Sequence, residues 1–194
     1  IEAVHTWFQT RFAAQTVFSF SSGRMALFAL LDSFGIGLGD EVFVQAFTCV
    51  AVPNSVLWAK AKPIFVDIDD SGNIDVGDAQ KKLTSKTKAM IVQHTFGIVA
   101  DMQKIVNFCK KNNLLLIEDC AHSLGVRFKN QLLGTFGDAA FFSFGRDKVL
   151  SSVWGGIAIV HTRQDAVRKK LMAFSQSLSR SGNLWILKQL LHPL

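Results

Sequence analysis

Asp138-Ala-Ala-Phe-Phe-Ser-Phe144 and Gly155-Gly-Ile-Ala-Ile-Val160 are two apolar, β-prone runs of strand length, joined by the loop of residues 145–154. A parallel pair of strands needs a crossover of about a dozen or more residues, so these two strands are predicted to be antiparallel neighbours. The loop then holds Lys148 at one end of the sheet, beside Ser143, and the paired glycines leave room for a bulky group.

Lys148 is a candidate for Schiff-base chemistry. On a rigid loop with apolar neighbours, desolvation lowers the pKa of a lysine and frees its amine to act as a nucleophile. The alternative is a solvated surface charge, which is what most loop lysines are. The choice between the two depends on what the rest of the chain places around this loop.

Strands and helices alternate on either side of this pair. Strands are predicted over residues 16–20, 41–46, 63–68, 87–94 and 114–117, a short hairpin over 126–133, and helices over 1–12, 24–34, 53–60, 78–83, 163–179 and from 183, with another that begins at Asp101. This order implies one α/β domain with three αβα layers, in which a mostly parallel sheet has helices on both faces and one antiparallel strand after the lysine loop.

Several polar residues fall where these strands end. In such sheets ligands bind beyond the carboxyl ends of the strands, where Ser22, Thr48, His94, Asp119 and the loop of Lys148 are predicted to converge. Ser22-Gly23 also opens a helix, which points backbone N–H groups at an anion. Each residue has a structural alternative: a serine N-cap, an aspartate cap, or a buried histidine with no ligand role.

Composition narrows the class of protein. The chain has 194 residues, is 49% hydrophobic and contains 17 Phe but no Tyr, which suggests a core shared with a partner subunit or with missing sequence. No run reaches the roughly 18 uncharged apolar residues of a membrane span, and no signal peptide opens the chain. Its three cysteines lack C-x-x-C spacing, which fits reduced thiols in a cytoplasm.

The formal net charge of +6 raises the question of nucleic acid. The basic residues are dispersed over predicted helix faces and no groove-reading motif accompanies them, so nucleic-acid binding is disfavoured. A modest positive field suits an anionic small substrate instead. A zinc site from Cys49, His94, Cys120 and His122 is disfavoured as well, because its spacing matches no usual zinc pattern.

The converging residues fit pyridoxal 5'-phosphate (PLP). Lys148 can form an imine, Asp119 at a buried strand end can keep a pyridine nitrogen protonated, and Ser22-Gly23-Arg24 with Ser143 can donate to a phosphate.

An ordered set of motifs resembles the DegT/DnrJ/StrS family, the PLP-dependent nucleotide-sugar aminotransferases of fold type I, over nearly the whole chain. The motifs are Gly37-Leu-Gly-Asp-Glu-Val42, Phe65-Val-Asp-Ile-Asp69, His94-Thr-Phe-Gly97 with Ala100-Asp101, Glu118-Asp119-Cys-Ala-His122, Gly134-Thr-Phe-Gly-Asp138 and Phe142-Ser-Phe-Gly-Arg-Asp-Lys148.

The resemblance implies a role for each site residue. Lys148 is then the catalytic lysine and general acid/base, Asp119 pairs with the pyridine nitrogen, and His122 meets the phenolic oxygen of the cofactor. Ser143 and Ser22-Gly23-Arg24 bind the phosphate. The family further implies a homodimer with shared sites, glutamate as amino donor, a keto-sugar nucleotide as acceptor and a place in polysaccharide biosynthesis.

The chain departs from the family at three places. Cys49 stands where an aromatic residue often stacks on the cofactor ring, so Cys49 and His94 are the possible ring or substrate contacts. Arg24 replaces a small residue or Thr, and Gly-Arg-Asp precedes the lysine where a Tyr-Pro-Thr type of sequence is familiar. Residues 1–194 are expected to be an incomplete large domain, without the smaller C-terminal domain of the family.

Other functions stay open at this point. A lyase, dehydratase or desulfurase on the same cofactor shares most of these residues, although the sugar dehydratases of the family replace the lysine by His. A desulfurase needs a reactive cysteine on a mobile loop, and none of the three lies in one. The non-enzymatic alternatives are a PLP-binding sensor and an inert fragment whose exposed apolar segment, Leu184 to Leu191, makes it poorly soluble.

Overall fold

The computed structural model describes residues 1–162, 164–179 and 182–191. Its helices are α1 Glu2–Phe12, α2 Gly23–Ser33, α3 Ala51–Trp58, α4 Val76–Lys82, α5 Met102–Lys111, α6 Asp165–Ser177 and α7 Asn183–Leu191, with a short 3₁₀ turn at Thr95–Gly97. Its strands are β1 Thr16–Phe20, β2 Glu41–Gln45, β3 Lys62–Val66, β4 Thr87–Gln93, β5 Leu115–Asp119, β6 Arg127–Phe128, β7 Gln131–Leu132, β8 Ala139–Ser143 and β9 Gly156–Val160.

Seven of the strands form one mixed sheet in the order β1-β9-β8-β5-β4-β2-β3. Strand β9 is antiparallel to both of its neighbours, β1 and β8, and the other pairings are parallel. The predicted fold class is therefore confirmed, including the single antiparallel strand that follows the lysine loop. The remaining two strands, β6 and β7, form the small hairpin expected within residues 126–133.

Alternating side chains of the central strands pack into separate cores on the two faces of the sheet. Met90 and Val92 of β4 face α1, α4 and α5, whereas Ala89 and Ile91 of the same strand face α2, α3 and α6. The period of two follows from strand geometry, since successive side chains point to opposite faces. Both faces are covered by helices, which explains why all five residues of β2 and five of the seven residues of β4 are buried.

The N-terminus of α2 lies against β8 and β9. A Cβ atom on Gly156 would lie 2.3 Å from the carbonyl carbon of Ser22, and one on Gly23 would lie 2.8 Å from the Cβ of Ser143. Only glycine allows backbones to approach so closely. These two contacts fix the first turn of α2 beside the strand that precedes the lysine loop.

Most differences from the predicted elements lie at their ends. Helix α3 begins at Ala51, so Pro53 lies in its first turn, where a missing N–H costs no hydrogen bond. The 3₁₀ turn after β4 was not predicted. The predicted helix 163–179 includes Arg163, which lies outside the described residues, and its observed part is α6.

In the terminal helix α7, Leu184, Leu187 and Leu191 are exposed, whereas the side chain of Leu190 lies outside the description. Within the described part of the chain, no helix has both the length and the apolarity needed to cross a membrane.

Candidate active site

Two adjoining cavities open at the carboxyl ends of the parallel strands. The first has a volume of about 390 Å³ and is bordered by Ser22, Gly23, Arg24, Ser143, Trp154 and neighbouring residues. The second, of about 270 Å³, is bordered by Phe47, Thr48, Gln93, Thr95, Phe96 and His122. Four residues line both cavities and form the wall that they share: Cys49, Asp119, Ala121 and Lys148.

The far end of the first cavity is built from the first turn of α2 and the end of β8. The Ser22 hydroxyl accepts the Met25 N–H at 3.2 Å and so caps the helix, while Gly23 packs directly on Ser143. The guanidinium of Arg24 lies 5.7 Å from the centre of the Trp58 ring. A cation in the first turn of a helix is repelled by the positive end of the helix dipole. An anion bound between the Arg24 guanidinium and the N-terminus of α2 would relieve that repulsion.

Asp119 ends β5 and reaches both cavities with only 5% of its surface exposed. One carboxylate oxygen, Oδ1, accepts the N–H of Ala121 at 3.0 Å. Burial raises the pKa of this carboxyl to about 6, against the opposing effects of that hydrogen bond and of the neighbouring His94 and Lys148 side chains. A cationic group placed in the cavity would stabilise the carboxylate, which burial otherwise penalises.

Lys148 lies at the boundary between the cavities. It belongs to a tight turn in which its backbone N–H donates to the Gly145 carbonyl at 3.2 Å. Its Nζ lies 3.0 Å from Nε2 of His122 and 3.2 Å from Oδ2 of Asp147. Burial, and then the charge of Lys148, lower the pKa of His122, so the neutral imidazole is favoured and Nε2 can accept from the ammonium. The hydrogen bond from Lys148 lowers the pKa of Asp147.

His94, a predicted possible ring or substrate contact, lines neither cavity. It is fully buried; its Nδ1 accepts the Ala100 N–H at 3.3 Å and its Nε2 lies 3.7 Å from Glu118. Glu118 in turn accepts three backbone N–H groups at 2.7–2.8 Å, from Gly134, Phe136 and Gly137. His94 and Glu118 therefore anchor the segment beneath the cavities, a role that the strand-end position alone did not reveal.

Among the described residues, the ligand atoms of His94, Glu118 and Cys120 lie within 4.8 Å of one another. Cys49 and His122, which belonged to the zinc set considered from the sequence, are not in this trio. Because Glu118 already uses both of its oxygens for backbone amides, the trio is part of the fold rather than an open coordination site.

The structure brings together Ser22, Gly23, Arg24, Asp119, Ser143 and Lys148 around the first cavity, with Cys49 in the shared wall and His122 in the second cavity. Sequence reasoning missed Phe47, Gln93, Phe96 and Asp147. One available signal was the His94-Thr-Phe-Gly97 motif, which puts an aromatic residue directly at a strand end. For Asp147 there was one signal in the sequence: Gly-Arg-Asp precedes Lys148 where the family usually has a Tyr-Pro-Thr type of sequence.

A model of the DegT/DnrJ/EryC1/StrS aminotransferase family matches residues 2–185. The chain belongs to this family. Among curated relatives, it is 38% identical over 161 residues to GDP-perosamine synthase of Escherichia coli O157:H7, covering 80% of this chain and 44% of that protein. It is 36% identical over 186 residues to GDP-perosamine synthase of Vibrio cholerae, covering 92% and 50%. The chain thus spans about half the length of these relatives.

Solved structures agree with this membership. An aminotransferase from Psychrobacter cryohalolentis superposes with a TM-score of 0.83 at 32% identity, covering 89% of this chain and 44% of the other. NtdA from Bacillus subtilis, with bound cofactor PMP, superposes with a TM-score of 0.82 at 28% identity, covering 90% and 39%. This DegT/DnrJ/EryC1/StrS chain therefore shares the aminotransferase fold.

Enzymes of the DegT/DnrJ/EryC1/StrS family depend on PLP, and the residues present fit that group. A buried carboxylate faces the cavity, an amine stands at its boundary, and a glycine-lined helix start closes its far end. These are the three features that a pyridine ring, an aldehyde and a phosphate require of a protein.

Proposed function

We propose that the protein containing this chain is a PLP-dependent aminotransferase that moves an amino group from glutamate to a keto-sugar nucleotide. The observation that carries the proposal is the wall shared by the two cavities, where the Lys148 amine and the buried Asp119 carboxylate face the same space. The named relatives, GDP-perosamine synthases, support a sugar nucleotide as the acceptor. Residues 1–194 are then the cofactor-binding large domain.

Bound PLP supplies an aldehyde that condenses with amines and a protonated ring that takes up electrons from the substrate carbon. The protein supplies binding, orientation and proton transfer. The backbone N–H groups at Gly23 and Arg24, the Arg24 guanidinium and the Ser143 hydroxyl hold the phosphate, because the start of α2 carries partial positive charge.

Asp119 keeps the ring nitrogen protonated. Its carboxylate is costly in the empty cavity, as its raised pKa indicates, and a cation at hydrogen-bond distance removes that cost. The Ala121 N–H holds Oδ1 in place, so the second oxygen is the one available to the ring. Asp119 therefore acts electrostatically, as a negative charge that is already in position before the reaction.

Lys148 Nζ would accept the proton released from the substrate carbon that bears the amino group, and would return a proton to the acceptor carbon in the reverse half of the reaction. The neutral His122 imidazole, whose Nε2 lies 3.0 Å away, accepts a hydrogen bond from Nζ and keeps the amine directed at the shared wall. Phe96 stacks on His122 with ring centroids 5.8 Å apart and an interplanar angle of 13°, which shields the imidazole from water.

A homodimer in the cytoplasm is part of this proposal. Val149, Leu150 and Trp154 on the lysine loop are about half exposed or more, and so is much of α7, which gives a second copy apolar surface to cover. The three cysteines are unpaired, as expected in a reducing compartment. Lys148 argues against the sugar dehydratases, which resemble this family but have His at the equivalent place.

The visible spectrum of the complete protein tests the proposed function. Loaded with PLP, the protein should lose its long-wavelength absorbance on addition of glutamate and recover it when a keto-sugar nucleotide is added. Alanine and aspartate are the control donors. A spectrum that no amino acid changes would contradict the aminotransferase assignment and favour a sensor or an inert protein.

A further inference from the structure

The second cavity extends beyond the shared wall between two exposed phenylalanine rings. Phe47 and Phe96 have 52% and 74% of their surfaces exposed, and their ring centroids lie 6.2 Å apart at an angle of 67°. Aromatic rings at the mouth of a cavity present apolar faces against which a ligand can pack. The Lys148 amine lines the same cavity.

Phe96 is held in this position by a strained backbone. Its φ of 52° and ψ of 25° lie in the left-handed region, which bulky side chains rarely adopt. Backbone hydrogen bonds on either side fix the turn: Gly97 N donates to His94 O at 3.0 Å, and Ile98 N donates to Thr95 O at 2.8 Å. Strain of this kind persists where the surrounding structure enforces it, and it clusters at functional sites.

The floor of the second cavity is polar and carries no charge. The Thr48 hydroxyl donates to Oε1 of Gln93 at 2.5 Å, and Nε2 of Gln93 donates to the Thr95 hydroxyl at 3.1 Å. Beneath them the buried Gln45 donates to both Thr95 Oγ1, at 2.8 Å, and the Phe47 carbonyl, at 2.7 Å. This network fixes the orientation of hydroxyl and amide groups that can still exchange hydrogen bonds with a ligand.

We propose that the second cavity is the subsite for the hexose ring of the acceptor, with Phe96 and Phe47 against its C–H face and Thr48 and Gln93 on its hydroxyl groups. A pyranose has one face of weakly positive C–H groups, which suits the negative face of an aromatic ring. Its edges carry neutral hydroxyl groups, which can exchange hydrogen bonds with Thr48 and Gln93 on the floor of the cavity. The inference rests on the proposed function and assigns Phe96 as a specificity-determining residue.

The charge distribution separates this subsite from the other ligand groups. A phosphate or a donor carboxylate requires a cation, and among the described residues that line the second cavity the one Lys or Arg is Lys148, at the shared wall. Arg24 and the start of α2 serve the first cavity. The second cavity therefore selects a neutral, partly apolar ring close to the reacting amine.

Binding of unreactive sugar nucleotides to the complete, cofactor-loaded protein tests the subsite. Calorimetry compares GDP-mannose with GDP, and UDP-N-acetylglucosamine with UDP, so that each difference isolates the hexose. Phe96→Leu keeps bulk without a ring, Phe96→Tyr keeps the ring, and Thr48→Val removes one hydroxyl at constant shape. Phe65→Ala on β3 is the matched control, because Phe65 is 48% exposed but lines neither cavity.

The wild-type protein should prefer the hexose-bearing member of at least one pair. Phe96→Leu should reduce that preference roughly tenfold, as expected for loss of one aromatic contact, while Phe96→Tyr and the control retain it. Affinity for the bare nucleotide should not change. An unchanged preference in Phe96→Leu, or a wild-type protein without any preference in either pair, would overturn the subsite.

The glutamate half-reaction separates this proposal from the proposed function. If Phe96→Leu removes the hexose preference while glutamate leaves the spectrum of the wild-type protein unchanged, the subsite stands and the aminotransferase assignment fails. If glutamate converts the cofactor and Phe96→Leu leaves the hexose preference unchanged, the aminotransferase assignment stands and the subsite fails.

Discussion

Nζ of Lys148 lies 3.0 Å from Nε2 of His122 at the wall between the two cavities, and no other lysine lines either of them within the described residues. Borohydride reduction of the PLP-loaded protein should therefore attach the pyridoxyl group to Lys148, as located by peptide mass mapping. Lys148→Arg should take up no label. A pyridoxyl group on the exposed Lys129 would contradict the assignment.

Asp119→Asn should keep the cofactor bound but slow the glutamate half-reaction. The amide oxygen can still accept the Ala121 N–H, so the local fold is retained, whereas the negative charge opposite the ring nitrogen is lost. Loss of one preorganised electrostatic group costs about 3–4 kcal/mol of barrier, or roughly two to three orders of magnitude in rate. Single-turnover absorbance measures this, and transamination at the parental rate would exclude the pyridinium role.

The same carboxyl should make the cofactor-free protein less stable as the pH rises. Its pKa is about 6 in the fold against 3.8 as the reference value, so the folded state binds more protons between these values. Stability is then lost as the pH rises from about 4 through 6 and stays low above that. Asp119→Asn removes the penalty, so it should stabilise the cofactor-free protein at pH 8 by roughly 1–3 kcal/mol and leave it little changed at pH 4.

Urea denaturation at the two pH values measures this effect, with the exposed Asp70→Asn as control. Added PLP should reduce the difference in the free energy of unfolding between parent and variant at pH 8, because the protonated ring nitrogen stabilises the Asp119 carboxylate. A variant equally stabilised at both pH values would mean that burial of Asp119 is not the cause.

Glu118→Gln should destabilise the fold rather than alter cofactor chemistry directly. Both oxygens of Glu118 accept backbone N–H groups, and an amide would turn one of them into a donor facing another donor. A buried unsatisfied pair of this kind costs about 2–4 kcal/mol. Thermal unfolding should show the loss, with the exposed Glu2→Gln as control; an unfolding temperature equal to the parent's would contradict the anchoring role.

The positions of the site residues were predictable because each lies at the end of a strand or in the loop that follows one, and strand ends follow from period-two apolar runs and the turn residues after them. His94 shows the limit of this reasoning. It directly follows β4, but its Nδ1 accepts the N–H of Ala100, six residues later, and the ring is buried in the interior. Phe96 could not be predicted as a cavity residue, because its position depends on a left-handed backbone conformation that no sequence signal indicates for a phenylalanine.

Gly156→Ala should weaken cofactor binding through the backbone. A Cβ at this position would lie 2.3 Å from the carbonyl carbon and oxygen of Ser22 and 2.5 Å from the Gly23 nitrogen, so the start of α2 must move away from β9. The phosphate-binding turn moves with it. Overpacking of this kind costs about 1–3 kcal/mol of stability, and we expect the affinity for PLP to fall by roughly tenfold or more.

Gly37→Ala is the matched control, because a Cβ there meets its nearest atom, the Ala59 carbonyl oxygen, at an ordinary 3.6 Å. Fluorescence titration with PLP should separate the two variants, and urea denaturation of the cofactor-free proteins should show how far Gly156→Ala is unfolded. A folded Gly156→Ala protein with parental PLP affinity would show that the first turn of α2 does not set the phosphate end of the first cavity.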